Sequence, residues 1–145
     1  MASVSTYLNF MGDTAAAFEF YREVFGTEYA SPVMRMGDGP AEEGAPELSD
    51  ADKALVMHVA LPIIGGHVLM GTDMIASAGH VLERGNNVSI SLQLDTRADT
   101  QRLFDALSAG GSEAFGLQDM FWGSLWGTCV DRFGTRWMFN CDEPA

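Results

Sequence analysis

Few side chains in this sequence can do chemistry unaided. The histidines are His58, His67 and His80, the residue type that exchanges a proton near neutral pH or gives a neutral nitrogen to a metal. A hairpin turning at Gly65-Gly66 sets His58 opposite Asp73, near enough for a hydrogen bond or a shared ligand role. An ion stripped of its water needs about three or four His, Asp or Glu donors, and no third aligns with this pair. His58 shares its facing with Val56 and Ala60, which fits either a pocket-lining histidine or a structural one with its hydrogen bonds satisfied. Ser89 and Ser91 have no histidine beside them in the pattern, so neither reads as an activated nucleophile. Cys129 and Cys141 lack CxxC spacing and read as buried structural thiols. Gly37-Asp38-Gly39 sits in an acidic stretch that opens no helix, so it fails the test for a phosphate loop.

What remains is recognition chemistry. Alternation along the apolar segments collects Tyr7 and Asn9, then Ser89, Ser91 and Gln93, then Asn140 on polar sides. These groups make hydrogen bonds and include no evident acid, base or nucleophile. Trp122 and Trp126 read either as core aromatics or as a stacking wall for a planar or apolar ligand. Trp137 and Phe139 alternate with the more polar Arg136 and Asn140 and belong to the core.

The elements that position these residues follow from periodicity. Residues 3–10 alternate as a strand, and Gly12-Asp13-Thr14 breaks it. Asp13 or Thr14 can cap a helix whose apolar residues Ala17, Phe18, Tyr21, Val24 and Phe25 recur at helical spacing before Gly26. A strand is expected over 28–36. The segment 37–53, rich in glycine and proline and carrying six acidic residues, reads as a mobile loop. Segments 54–61 and 67–72 form a hairpin, and 75–86 is a connector. The order then restarts: a strand over 87–95, with Val88, Ile90, Leu92 and Leu94 on its apolar side; a helix capped by Thr96 or Asp99; and strands over 113–117, 124–130 and 135–141. A repeat of strand, helix and three strands at an offset of roughly 85 residues fixes the architecture. The expectation is an α+β domain over 1–145. It consists of two βαβββ modules, about 1–75 and 86–145, whose curved mixed sheet encloses a cavity on the side away from the helices.

With 8 basic and 20 acidic residues the chain carries a net charge of −12, which repels nucleic acid and anionic membrane surfaces. No apolar run approaches the ~20 residues of a membrane span, and the N-terminus lacks the order of a secretory signal. A cytoplasmic protein is expected.

Both ends of the chain carry a family likeness. Tyr7-Leu8-Asn9-Phe10-Met11-Gly12-Asp13, then Ala17-Phe18-Glu19-Phe20-Tyr21 and Val24-Phe25-Gly26, resemble the opening of vicinal oxygen chelate proteins, the glyoxalase/bleomycin-resistance/dioxygenase superfamily, in its PhnB-like branch. Asp119-Met120-Phe121-Trp122-Gly123, Trp126-Gly127 and Asp131-Arg132-Phe133-Gly134-Thr135-Arg136-Trp137 resemble the closing hairpin of the same branch. The resemblance implies a cavity in which metal-using members take one ligand each from the first, fourth, fifth and eighth strands. Those positions fall here on Thr6 or a neighbour, about Met70, Ser89 and Met138, and none is a strong ligand for a divalent ion. The resemblance therefore implies a metal-free binder of a small molecule, without a cofactor, working as a homodimer. The alternative is a metal-dependent lyase, isomerase or dioxygenase with atypical ligands such as His58 and Asp73.

Overall fold

In the computed structural model, which describes residues 1–41 and 43–145, the first alternating segment makes strand β1 (Thr6–Phe10) and leads into helix α1 (Thr14–Phe25). The chain continues through β2 (Met34–Arg35), the single turn α2 (Asp50–Lys53), β3 (Val56–Pro62) and β4 (Val68–Asp73). These strands form a four-stranded sheet in the order β1-β4-β3-β2, with β1 parallel to β4 and the other pairings antiparallel. This half is one of two compact units, Met1–Glu83 and Arg84–Ala145.

The second unit repeats the plan with β5 (Ile90–Leu94), α3 (Arg97–Ser108), β6 (Ser112–Asp119), β7 (Leu125–Val130) and β8 (Arg136–Cys141). Its sheet runs β5-β8-β7-β6, again with the first and last strands parallel. The α+β class and the two βαβββ modules are those the sequence leads one to expect.

Each helix lies on one face of its own sheet. In the first unit Phe10 meets Phe18 edge to face, Phe18 meets Tyr21, and Ala17, Val59, Leu61 and Leu69 complete a buried layer. Helix and strand approach closely because residue 71 is glycine: a Cβ there would lie 2.5 Å from the Phe18 ring. Gly26, at φ 64, takes the left-handed cap and gives its N–H to the Arg22 carbonyl. In the second unit Leu92, Leu94, Leu103, Phe104, Leu107, Trp137 and Phe139 form the equivalent layer. Each such side chain contributes about 1.5–3 kcal/mol when fully buried.

Each unit is tied together internally by one buried aspartate. Neither Asp13 nor Thr14 caps α1 through its side chain, contrary to the sequence reading. Asp73, at the end of β4, does so instead. Its Oδ1 accepts from the Gly12 and Thr14 amides and the Thr14 hydroxyl, while its Oδ2 accepts from the Val56 amide. In the second unit the carboxylate of Asp131 accepts from the Phe133 and Thr135 amides and from the Trp137 indole, closing the β7–β8 turn. Helix α3 is capped as expected by Thr96, whose hydroxyl oxygen accepts from the Asp99 amide.

Several boundaries differ from expectation. The strand expected over 28–36 shrinks to Met34–Arg35, because Pro32 has no N–H to offer a ladder. The acidic segment 37–53 is not loop throughout: a 3-10 turn spans Met36–Asp38, and Ser49 caps α2. Residue 42, within that segment, lies outside the described residues. β5 begins at Ile90, leaving Val88 exposed and Ser89 ahead of the strand. Cys129 stands opposite Trp137 and Cys141 opposite Leu125; both thiols are buried and free. Among the described residues no helix is long and apolar enough to cross a membrane.

Candidate functional site

The face of each sheet turned away from its helix carries the polar residues. In the second unit Gln93 stands opposite Asn140, Asn140 opposite Trp126, and Trp126 opposite Gln118. One row therefore crosses β5, β8, β7 and β6, while the alternate residues Leu92, Leu94, Phe139 and Leu125 are buried on the helix side. Ser91, paired with Met138, lies on the same open face. Trp126 leans on Phe115 with ring centroids 5.7 Å apart.

Asp142 holds one end of this row. Its Oδ1 accepts from the Ser124 hydroxyl and from Asn140 Nδ2 at 3.0 Å, and its Oδ2 accepts from Gln93 Nε2 at 3.2 Å. Asn140 Nδ2 also donates to Gln93 Oε1 at 2.9 Å. The Ser124 hydroxyl, followed by Asn140, holds the Asp142 carboxyl below the usual aspartate range. Alternation in the sequence marks Gln93 and Asn140 but not Asp142. Continuing the alternation past Asn140 by two residues would have reached it, and the end of the apolar run hid it.

In the first unit Tyr7 and Asn9 lie exposed on the open side of β1, opposite Met70 and Thr72 of β4, while Phe10 is buried on the helix side. The Tyr7 hydroxyl and His58 Nδ1 are 3.1 Å apart, with the rings 5.8 Å apart and tilted. The expected pairing of His58 with Asp73 does not occur. β3 and β4 pair Val59 with Gly71, which places His58 level with Thr72. One residue of register sends Asp73 to the opposite face, where both its oxygens are bonded. His67 meets the Thr6 hydroxyl at 2.8 Å, and His80 Nδ1 accepts from the Ile75 amide.

The remaining site candidates scatter. Ser89 is exposed before β5 begins. Trp122 sits at the tip of the β6–β7 hairpin, 52% exposed, against Phe121 at 5.0 Å. A hollow of about 720 Å³ under the acidic segment is lined by Met36, Pro40, Pro46, Leu48 and Ile75 among others, and none of the candidate residues borders it.

The donors do not suit a metal. Among the described residues no three His, Cys, Asp or Glu side chains gather as an ion site. Of the positions carried over for metal ligands, Met70 and Met138 are thioethers paired with Tyr7 and Ser91, and Thr6 is engaged with His67. Thioethers and hydroxyls are poor ligands for hard or borderline divalent ions.

Known proteins of this architecture match the whole chain. A Pseudomonas aeruginosa crystal structure, protein PA1353, is 34% identical, covers 98% of each chain and superposes with a TM-score of 0.81. Protein YjdN of Escherichia coli is 26% identical over 144 residues, covering 94% of this chain and 93% of that protein. The PhnB protein of Bacillus cereus shares the fold at 20% identity, with a TM-score of 0.75 and 97% of this chain and 99% of that chain covered. The family model for the glyoxalase/bleomycin resistance protein/dioxygenase superfamily matches residues 4–139, and the chain belongs to that superfamily.

Proposed function

We propose that this protein binds a small, partly apolar molecule on the open faces of its sheets without using a metal ion, and that it works as a cytoplasmic homodimer. The observation that carries the reading is the row Gln93, Asn140, Trp126 and Gln118, an aromatic surface flanked by hydrogen-bonding amides, the kind of lining that holds and orients a small organic ligand. The Tyr7–His58 pair gives the open face of the first unit a polar contact point of its own. A metal-dependent lyase, isomerase or dioxygenase is less well supported, since its atypical ligand pair would need Asp73 on the same face as His58. The FosX fosfomycin resistance protein of Listeria monocytogenes has this fold at 12% identity and a TM-score of 0.61, so small-molecule resistance chemistry is compatible with such a frame. Dimerisation would cover sheet edges; β6 is an eight-residue edge strand, mostly exposed.

The test is native mass spectrometry of protein purified without chelator, with metal analysis of the same sample. A retained organic ligand, sub-stoichiometric divalent metal and a dimer mass are expected. Stoichiometric metal that disappears in His58→Ala would overturn the metal-free reading, and a monomer at micromolar concentration would overturn the dimer.

A further inference from the structure

The hydrogen-bond directions in the second unit select the ligand's charge, an inference that rests on the small-molecule reading above. A carboxylate only accepts, so Asp142 forces every neighbour to turn a donor toward it. The Ser124 hydroxyl proton points to Oδ1. Gln93 Nε2 gives one proton to Oδ2. Both protons of Asn140 Nδ2 are engaged, one with Asp142 and one with Gln93 Oε1. The amide orientations are thereby fixed by chemistry, and the remaining polar atom of the Asn140 side chain, Oδ1, can only accept.

The same row carries no cation. Arg97 is bonded to Asp119 and to Glu143, and Arg136 to Glu113. A phosphate, phosphonate or carboxylate would meet Asp142, the Asn140 carbonyl oxygen and no countercharge, within a chain of net charge −12. Two like charges a few ångströms apart repel, and here no counter-ion from the protein offsets that repulsion. A flat ring stacked on Trp126 with an amine or amidine over Asp142 meets complementary groups at both points. Successive strands are about 4.8 Å apart, so the row is about 14 Å long, enough for a fused ring system.

We propose that the Trp126, Asn140, Gln93 and Asp142 surface selects planar molecules bearing a cationic or N–H donor group and rejects anions of the same shape. Proflavine, a flat cation, and anthracene-2-carboxylate, a flat anion, are matched probes. Calorimetry on the full chain should show proflavine binding at least tenfold more tightly. Asp142→Asn should weaken proflavine about tenfold, whereas Glu23→Gln, which removes the same charge from an exposed position on α1, should leave its affinity unchanged. Trp126→Ala should weaken proflavine, and Trp126→Phe, which keeps a ring, should restore most of the affinity. Equal affinity for the two probes, tighter binding of the carboxylate, no binding of proflavine, or equal effects of Asp142→Asn and Glu23→Gln would each overturn the proposal. An organic ligand retained in the native mass spectrum would still uphold the small-molecule reading in those cases, so the two failures are told apart.

Discussion

The two units share one backbone plan, yet their open faces present different chemistry. The first offers an aromatic hydroxyl against an imidazole, Tyr7 with His58. The second offers a tryptophan beside an amide row anchored on a carboxylate. On the helix sides the two are alike: a helix lies on apolar strand residues, and a buried aspartate collects backbone amides. The repeat is thus kept where apolar burial and amide satisfaction dictate the residue type, and it diverges where a side chain faces outward and folding leaves the type free.

The sharpest way to break that parallel is to remove the two clamps. Asp73→Ala leaves the Gly12, Thr14 and Val56 amides without their acceptor, and Asp131→Ala does the same to the Phe133 and Thr135 amides and the Trp137 indole. Each should cost about 3–5 kcal/mol, since several buried donors are orphaned at once. Hydrogen exchange distinguishes them: α1 should lose protection in the first variant and the β7–β8 turn in the second. Loss of protection at the same sites in both would dissolve the parallel.

Gly71→Ala probes the packing of the first unit alone. The new methyl group meets the Phe18 ring, so a loss of about 1–3 kcal/mol in urea unfolding is expected from overpacking. A neutral result would mean that helix and strand separate without cost.

Cys129 gives the second unit a pH dependence. Burial, helped by the Asp131 charge, pushes its thiol up to about 11 from an ordinary 9.0. Folding therefore favours the neutral thiol. That contribution is complete below pH 9 and is lost as pH rises towards 11. The urea midpoint of the wild type should fall over this window by more than that of Cys129→Ala, the difference being on the order of 2 kcal/mol. Parallel curves would refute the assignment.

The smallest effects belong to the open faces. Tyr7→Phe and Asp142→Asn alter exposed residues; the first should change stability by no more than about 0.5 kcal/mol, and the second should leave the unfolding midpoint close to that of the wild type. A large loss from either, read by thermal unfolding, would mean that the open face also holds the fold together.

The linear sequence by itself determined the βαβββ repeat, the core and the faces of β1 and β5. Strict alternation leaves Phe10 or Leu92 nowhere to go but the helix side once Asn9 or Gln93 is outside, and a 3.6-residue period is unambiguous in α1 and α3. Tertiary structure decided three matters that no local pattern contains. One is the exact register of β3 on β4, which separates His58 from Asp73 although both lie near the same level of the sheet. Another is the cap of α1, supplied from the far end of β4 and so invisible to a search for neighbouring cap residues. The third is the grouping of Asp142 with Ser124, Asn140 and Gln93, residues drawn from separate stretches of chain. Periodicity carries the direction of a side chain because that direction is fixed by its own backbone. A hydrogen bond between strands depends on where a second strand stops, and only the folded sheet sets that.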